Sequence, residues 1–281
     1  MTRDLRLSFS TNAYVRRSVF DAVEHIASLG YDGVELLADT PHLYAESVTE
    51  DDLQRLGDLL QSKGIEAANI NANTAVGFYG REFWEPLFEP SIAAPDPSLR
   101  RRRIEYSKKC IDMAHRLGSD CVSLTSGRMV PGVLPKESMG LLRDSLDELL
   151  DHAAPMSVRI GIEYEPGLLI ESCEELAALI DDVESPLLGA NLDLGHSHVL
   201  GEDPESVIRR LGDRIFHIHI EDIKDRKHYH LVPGHGDMDF PRLFRLLRRQ
   251  GYGGFVTVEL YTYPHRPEQV ASEALEYLKR I

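Results

Sequence analysis

A closed (β/α)8 barrel is the fold class the sequence predicts, on three observations. Eight short β-like runs alternate with longer helical periods from one end of the chain to the other. The length, 281 residues, is the size of one such barrel. Helices feed the following strand through short connections, the economy of a βα unit. The expected domain is a single barrel over residues 1–281, with an inserted loop at about 73–98 covering its mouth. A doubly wound open sheet is the alternative. It has fewer strands and a Gly-rich first βα turn, whereas the first turn here, STNAYVRRS, holds no G-x-G-x-x-G.

The strand candidates are LRLSFS (5–10), GVELL (33–37), IEAANINA (65–72), CVSLTS (121–126), VRIGIEYE (158–165), LGANLDL (188–194), IFHIHIE (215–221) and FVTVEL (255–260). Each is short, β-branched or apolar, and bounded by polar or glycine punctuation. Between them, runs such as SVFDAVEHIASLG, TEDDLQRLGDLLQSKG, SCEELAALIDDV and DFPRLFRLLRRQG place apolar residues at helical spacing. Gly30, Gly64, Gly118 and Gly251 sit where a left-handed helix C-cap is needed, and Ser172 with Glu175 three residues on reads as a capping box.

The segment from 73 to 98 breaks the rhythm. It carries the only tryptophan, Trp84, with Phe78, Tyr79 and Phe83, and these aromatics argue against disorder. They are candidate walls of a binding site, with packing or a subunit contact as the other reading.

A formal net charge of −15 opposes a nucleic-acid backbone or an anionic membrane surface. The one basic cluster, Arg100 to Arg103, reads as the solvated first turns of a helix. Three irregularly spaced cysteines form neither a disulfide framework nor a CxxC site, and no run reaches the roughly 18 apolar residues of a membrane span. A cytoplasmic location is the expectation, with a homodimer and a homotetramer as the assemblies left open.

Chemistry gathers at the C-terminal strand ends, which a barrel brings to one rim. The fifth strand candidate ends with Glu163 and Glu165, and the sixth with Asp193 followed by His196 and His198. The seventh carries His217 and His219, and the eighth ends at Glu259. Buried carboxylates must be neutralised, paired or bound to a cation. Three carboxylates and one imidazole suit a hard to borderline divalent ion: Mn2+ first, with Mg2+, Co2+ or Zn2+ as alternatives. Taken singly, Glu163 or Glu259 could be a salt-bridged rim acid, Asp193 a helix cap, and either histidine a satisfied core residue. Their joint placement on successive strands favours the metal site.

The series GIEYEPG, NLDLGHSH, HIHIED, PGHGDMDF and TVEL resembles the xylose isomerase-like TIM barrel superfamily, which includes ketose 3-epimerases, hydroxypyruvate isomerase, inosose dehydratase and, more distantly, endonuclease IV. The resemblance implies that Glu163, Asp193, His219 and Glu259 hold the ion. It also implies that Glu163 and Glu259 exchange protons with substrate and that His196 contacts substrate oxygens. The epimerases carry an arginine six residues after the metal histidine; that place is Asp225 here, with Arg226 one later as the candidate. His235 stands where the superfamily often has glutamate. His228 and His230, on the loop leading to Pro233-Gly234, are further candidate substrate contacts together with Glu165 and Trp84, with solvated loop histidines as the alternative.

The expected function is therefore a metal-dependent sugar or cyclitol isomerase or epimerase, moving a proton next to a carbonyl through a metal-stabilised enediolate. Its partner is a small polyol or sugar, with neither nucleic acid nor membrane. A lyase or dehydratase on a related polyol ketone is the first rival, and a metal-free binding module another. An endonuclease IV-like nuclease is the distant one, disfavoured because the third and fourth strands end in NINAN and SLTSG where that branch supplies histidines.

Overall fold

Alternating apolar runs become strands within two residues of the expected bounds in the computed structural model, which describes residues 5–73 and 88–281. They are β1 (Arg6–Ser10), β2 (Gly33–Leu37), β3 (Glu66–Asn71), β4 (Cys121–Thr125), β5 (Arg159–Glu163), β6 (Leu188–Asp193) and β7 (Ile215–Ile220). A hairpin of β8 (Asp222–Lys224) and β9 (Lys227–Leu231) precedes the last barrel strand, β10 (Phe255–Val258). The barrel closes in the order β1-β10-β7-β6-β5-β4-β3-β2, all parallel, and β1 pairs with both β2 and β10. That closure excludes the open sheet.

Around it run α1 (Val19–Leu29), α2 (Glu50–Lys63), α3 (Pro97–Leu117), α4 (Pro135–Ala153), α5 (Cys173–Val183), α6 (Leu194–Leu200), α7 (Pro204–Leu211), α8 (Phe240–Gln250) and α9 (Pro267–Leu278). None of the described helices is long and apolar enough to cross a membrane. Gly30, Gly64, Gly118 and Gly251 all cap helices in the left-handed conformation. The three cysteines are buried and free.

Several local expectations are corrected. Ser172 accepts from the Glu175 amide, but the Glu175 carboxylate turns to the Glu171 amide, so the box is half made. The reciprocal box forms instead at Thr49 and Asp52. Arg103 is buried rather than solvated and donates to the Ala72 carbonyl at 3.0 Å, stitching α3 to the end of β3. The segment after β7, expected as a loop, is the β8–β9 hairpin. Its turn places Asp225 and Arg226 at positive φ, the backbone of a type I′ turn. The Asp222 carboxylate then accepts from the amides of Gly234, Gly236 and Met238 and folds the following segment back onto the hairpin. Trp84, Phe78, Tyr79 and Phe83 lie outside the described residues, as does most of the inserted loop.

Period-two alternation sorts the strands into two layers. On β7, Phe216, Ile218 and Ile220 are buried on one face and His217 and His219 on the other. The second face is the barrel interior, because both histidines reach Glu35 on β2, which is no neighbour of β7 in the sheet.

Gly189 on β6 is required by close packing: a Cβ there would strike the Arg214 carbonyl and the Phe216 ring. Gly189→Ala is expected to lower stability by about 1–3 kcal/mol. Gly57→Ala, in open space on α2, should raise it by about 1 kcal/mol. Urea unfolding of both variants beside the parent checks the pair.

Candidate metal centre at the barrel mouth

The interior carries a continuous polar column. Ser8 bonds to Thr257, Thr257 Oγ1 lies 2.8 Å from His217 Nε2, and His217 Nε2 lies 3.3 Å from Glu35 Oε2. Glu35 accepts from Asn69 Nδ2 at 2.8 Å and sits 2.6 Å from His219 Nε2. Donation from Nε2–H to Glu35 leaves His219 Nδ1 directed toward the mouth. There it lies 2.9 Å from Glu163 Oε1 and 3.8 Å from Glu259 Oε1.

Above this column, Glu163 at the end of β5, Asp193 at the end of β6, His219 on β7 and Glu259 just after β10 each present a ligand atom. All four atoms lie within 4.8 Å of one another, and all four residues are buried. Glu163 Oε2 accepts from Asn73 Nδ2 at 2.9 Å, and Glu259 Oε1 from Asn12 Nδ2 at 2.9 Å and Asn71 Nδ2 at 3.3 Å. Asp193 does cap a helix: its Oδ1 accepts from the amides of Gly195 and His196 at the start of α6. Its Oδ2, buried, finds no hydrogen-bond partner among the described residues. A buried acceptor is seldom left bare. An orphaned carboxylate oxygen beside two further acids and a directed imidazole nitrogen is a donor set that fits a divalent cation.

Charge balance leads to the same place. Burial lowers the pKa of His219, but the carboxylates of Glu35, Glu259 and Glu163 outweigh it and lift the ring well above the usual histidine range. For Glu35, burial is outweighed by His219 and His217, and it is held well below the carboxylate range. Burial pushes Glu259 up to about 8, with Glu163, Glu35 and Asp193 adding to it and His219 opposing. Burial also raises Glu165 to about 7. Glu221, two residues past His219, is raised well above its ordinary value by burial and then by Asp193 and Glu259, and both its oxygens lack a partner among the described residues. Protons here do the neutralising that a cation would otherwise do.

A cavity of about 320 Å³ opens over these groups. Glu163, Glu259, Glu165, His196, His228 and His230 border it, with Asn12, Asn71, Asn73, Phe88 and Tyr261. Six of the sequence-predicted site residues thus share one cavity, and Asp193 and His219 join Glu163 and Glu259 in the cluster at its edge. Arg226 does not reach it: exposed at the hairpin turn, its guanidinium packs against Gly201. His235 is also exposed, and His198 faces Asp237 at 3.4 Å outside the cavity. Glu35 was missed. Its sequence signal was an acid inside the apolar run GVELL, and nothing local says which histidine it meets. The asparagines of NINAN that orient the two glutamates were likewise read only for lacking histidines. A wider groove of about 670 Å³, lined by Met129, Met139, Leu168 and Leu179, holds none of this chemistry.

Residues 23–281 match the family described as xylose isomerase-like TIM barrel. The chain belongs to that family. Within it, fructoselysine 3-epimerase of Shigella flexneri is 27% identical, over 99% of this chain and 98% of its own. Inosose dehydratase of Clostridium perfringens is 28% identical over 52% of this chain and 56% of its own. Among solved structures, an IOLI protein with a bound zinc atom superposes with a TM-score of 0.80 at 22% identity, covering 98% of this chain and 99% of that one. At that identity the likeness carries the fold.

Glu165 yields a pH prediction for protein stripped of divalent ions. A carboxylate whose pKa stands near 7 when folded and near 4.5 when unfolded keeps an extra proton in the folded chain between those values. Stability therefore falls as pH rises through that window. Glu165→Gln should be more stable than the parent near pH 8, by at most about 3 kcal/mol, and no more stable below about pH 4.5. Equal urea midpoints at both pH values would contradict this assignment.

Proposed function

We propose that this protein is a divalent-metal-dependent isomerase or epimerase of a small sugar or cyclitol, working by proton transfer next to a carbonyl. One observation carries the reading: Glu163 and Glu259, from opposite sides of the strand pair β6 and β7, approach the same His219 nitrogen and border one cavity beside the bare oxygen of Asp193. The full-length likeness to a sugar 3-epimerase supports it.

Glu163, Asp193, His219 and Glu259 would hold the ion. When bound, it supplies Lewis-acid polarisation of a carbonyl and a neighbouring hydroxyl. Mn2+ is the leading candidate for this oxygen-rich set, with Mg2+, Co2+ and Zn2+ as the alternatives. Asn73 orients Glu163, while Asn12 and Asn71 orient Glu259. With the two carboxylates fixed on different sides of a bound substrate, one removes the proton next to the carbonyl and the other returns a proton to the opposite face, inverting the centre. In the ion-free chain burial holds Glu259 at about 8, and with the ion bound that proton would be displaced, leaving the carboxylate free to take one from substrate. His196, His228, His230 and Glu165 line the cavity wall that the remaining hydroxyls would meet.

A dehydratase is the second reading, favoured by the partial likeness to inosose dehydratase. NMR of ketoses and inososes in D2O with added Mn2+ separates the two. Deuterium entering next to the carbonyl with no mass loss supports epimerisation or isomerisation, and loss of water supports the dehydratase. Glu163→Gln and Glu259→Gln should each cut kcat by about 10²–10⁴, and chelation should abolish turnover until Mn2+ is restored. Full activity in chelated protein would overturn the proposal.

A further inference from the structure

Phe88 borders the cavity with its backbone in the left-handed region, at φ 70°. A bulky side chain seldom takes that conformation unless its surroundings hold it there. Other left-handed residues that are not glycine have local reasons for it. Ser157 and Glu184 cap helix ends, and Asp225 with Arg226 makes the hairpin turn. Phe88 lies in no described helix or strand, so its conformation is set by what packs beside it.

Glu89, the next residue, makes that contact. Its buried carboxylate accepts from two backbone amides, Oε2 from Ser91 and Oε1 from Arg128, each at 2.9 Å. The first bond turns the chain back on itself, and the second ties it to the connection between β4 and α4. Ser145 on α4 adds a third tie by donating to the Ile92 carbonyl at 2.6 Å. Gly127, at φ 81°, leaves room for the contact, since a Cβ there would strike both the Ser91 side chain and the Glu89 carboxylate. The connection itself is braced from its other side, where the Leu169 amide donates to the Gly127 carbonyl at 2.8 Å and the Ile170 amide to Ser126 Oγ at 3.0 Å. A braced loop therefore holds Glu89, and Glu89 holds the backbone of its neighbour. Glu89 does not border the cavity, so its route to a bound ligand runs through Phe88.

We propose that Glu89 is a positioning residue that fixes Phe88 as an apolar wall of the cavity, against which the C–H face of a neutral polyol packs. An aromatic ring offers such a face a large apolar contact while the asparagines and histidines around it meet the hydroxyls.

The inference rests on the function proposed above, and the test keeps the two apart. Phe88→Ala, Glu89→Ala and the double variant are compared with the parent on whichever ketose or inosose the parent turns over fastest. Each single variant should raise KM about tenfold with kcat unchanged, the sign of binding that substrate and transition state share. The double variant should bind no worse than Phe88→Ala, because the two residues act as one unit. Losses that add in the double variant, or a fall in kcat at constant KM, overturn the positioning role. Hydrogen exchange gives a readout that needs no substrate: the Ser91 and Arg128 amides should lose protection in Glu89→Ala and in Gly127→Ala, which disturbs the same contact from its other side. Unchanged exchange in both overturns the contact. Glu89→Gln keeps one acceptor oxygen and should recover part of the affinity, so an alanine variant that failed to fold would leave the test intact. A parent that turns over nothing in the panel sinks the function proposed above, while the exchange of the two amides still upholds or overturns the hold of Glu89 on its neighbour.

Discussion

The contact between Glu35 and His219 is the interaction on which the rest of the mouth depends. It spans the barrel interior from β2 to β7, 2.6 Å from oxygen to nitrogen, with both side chains fully buried. An ion pair so deep is weak evidence of stability, since desolvation offsets much of its attraction, yet breaking one partner strands a buried charge. Its structural consequence is direction. By receiving the Nε2 hydrogen, Glu35 turns Nδ1 of His219 upward to the three acids, and Asn69 and Asn71 hold Glu35 in place from β3.

Above that contact the problem is too much negative charge in too little water. Glu163, Asp193, Glu259 and Glu221 are all buried, and Asp193 Oδ2 and both Glu221 oxygens have no partner among the described residues. In the chain alone, protons on His219, Glu259 and Glu221 relieve the strain. A barrel that stores carboxylates at its rim, ordered by asparagines and a directed imidazole, is poised to exchange protons for a cation. Gly195 is part of the same economy of space, since a Cβ there would strike the Glu221 carboxylate.

The β8–β9 hairpin gives the mouth its second layer. His228 and His230 fall on β9 at period two, and the hairpin lays both rings against His196 on α6. Asp222 anchors the return of the chain through three backbone amides, and both imidazoles border the cavity. The clustering of five histidines in residues 217–236 thus resolves into three environments: His217 and His219 in the barrel column, His228 and His230 over the cavity, and His235 in water.

The sequence by itself determined the repeating units and the strand faces. A period of two in IFHIHIE and a period near 3.6 in the runs between strands are local consequences of backbone geometry, so strand limits and the shared face of His217 and His219 were legible without a structure. The rule that barrel strand ends meet at one rim then put Glu163, Asp193, His219 and Glu259 on one list. Partnership across the barrel was decided only by tertiary structure. Glu35 and His219 are 184 residues apart, and no local pattern pairs an acid in one strand with an imidazole in a strand that is not its neighbour. Arg226 and Arg103 make the same point in opposite directions. The first was expected in the site and was turned out by a hairpin, the second was expected in water and was drawn in to a carbonyl, because exposure depends on what packs beside a residue and not on its own chemistry.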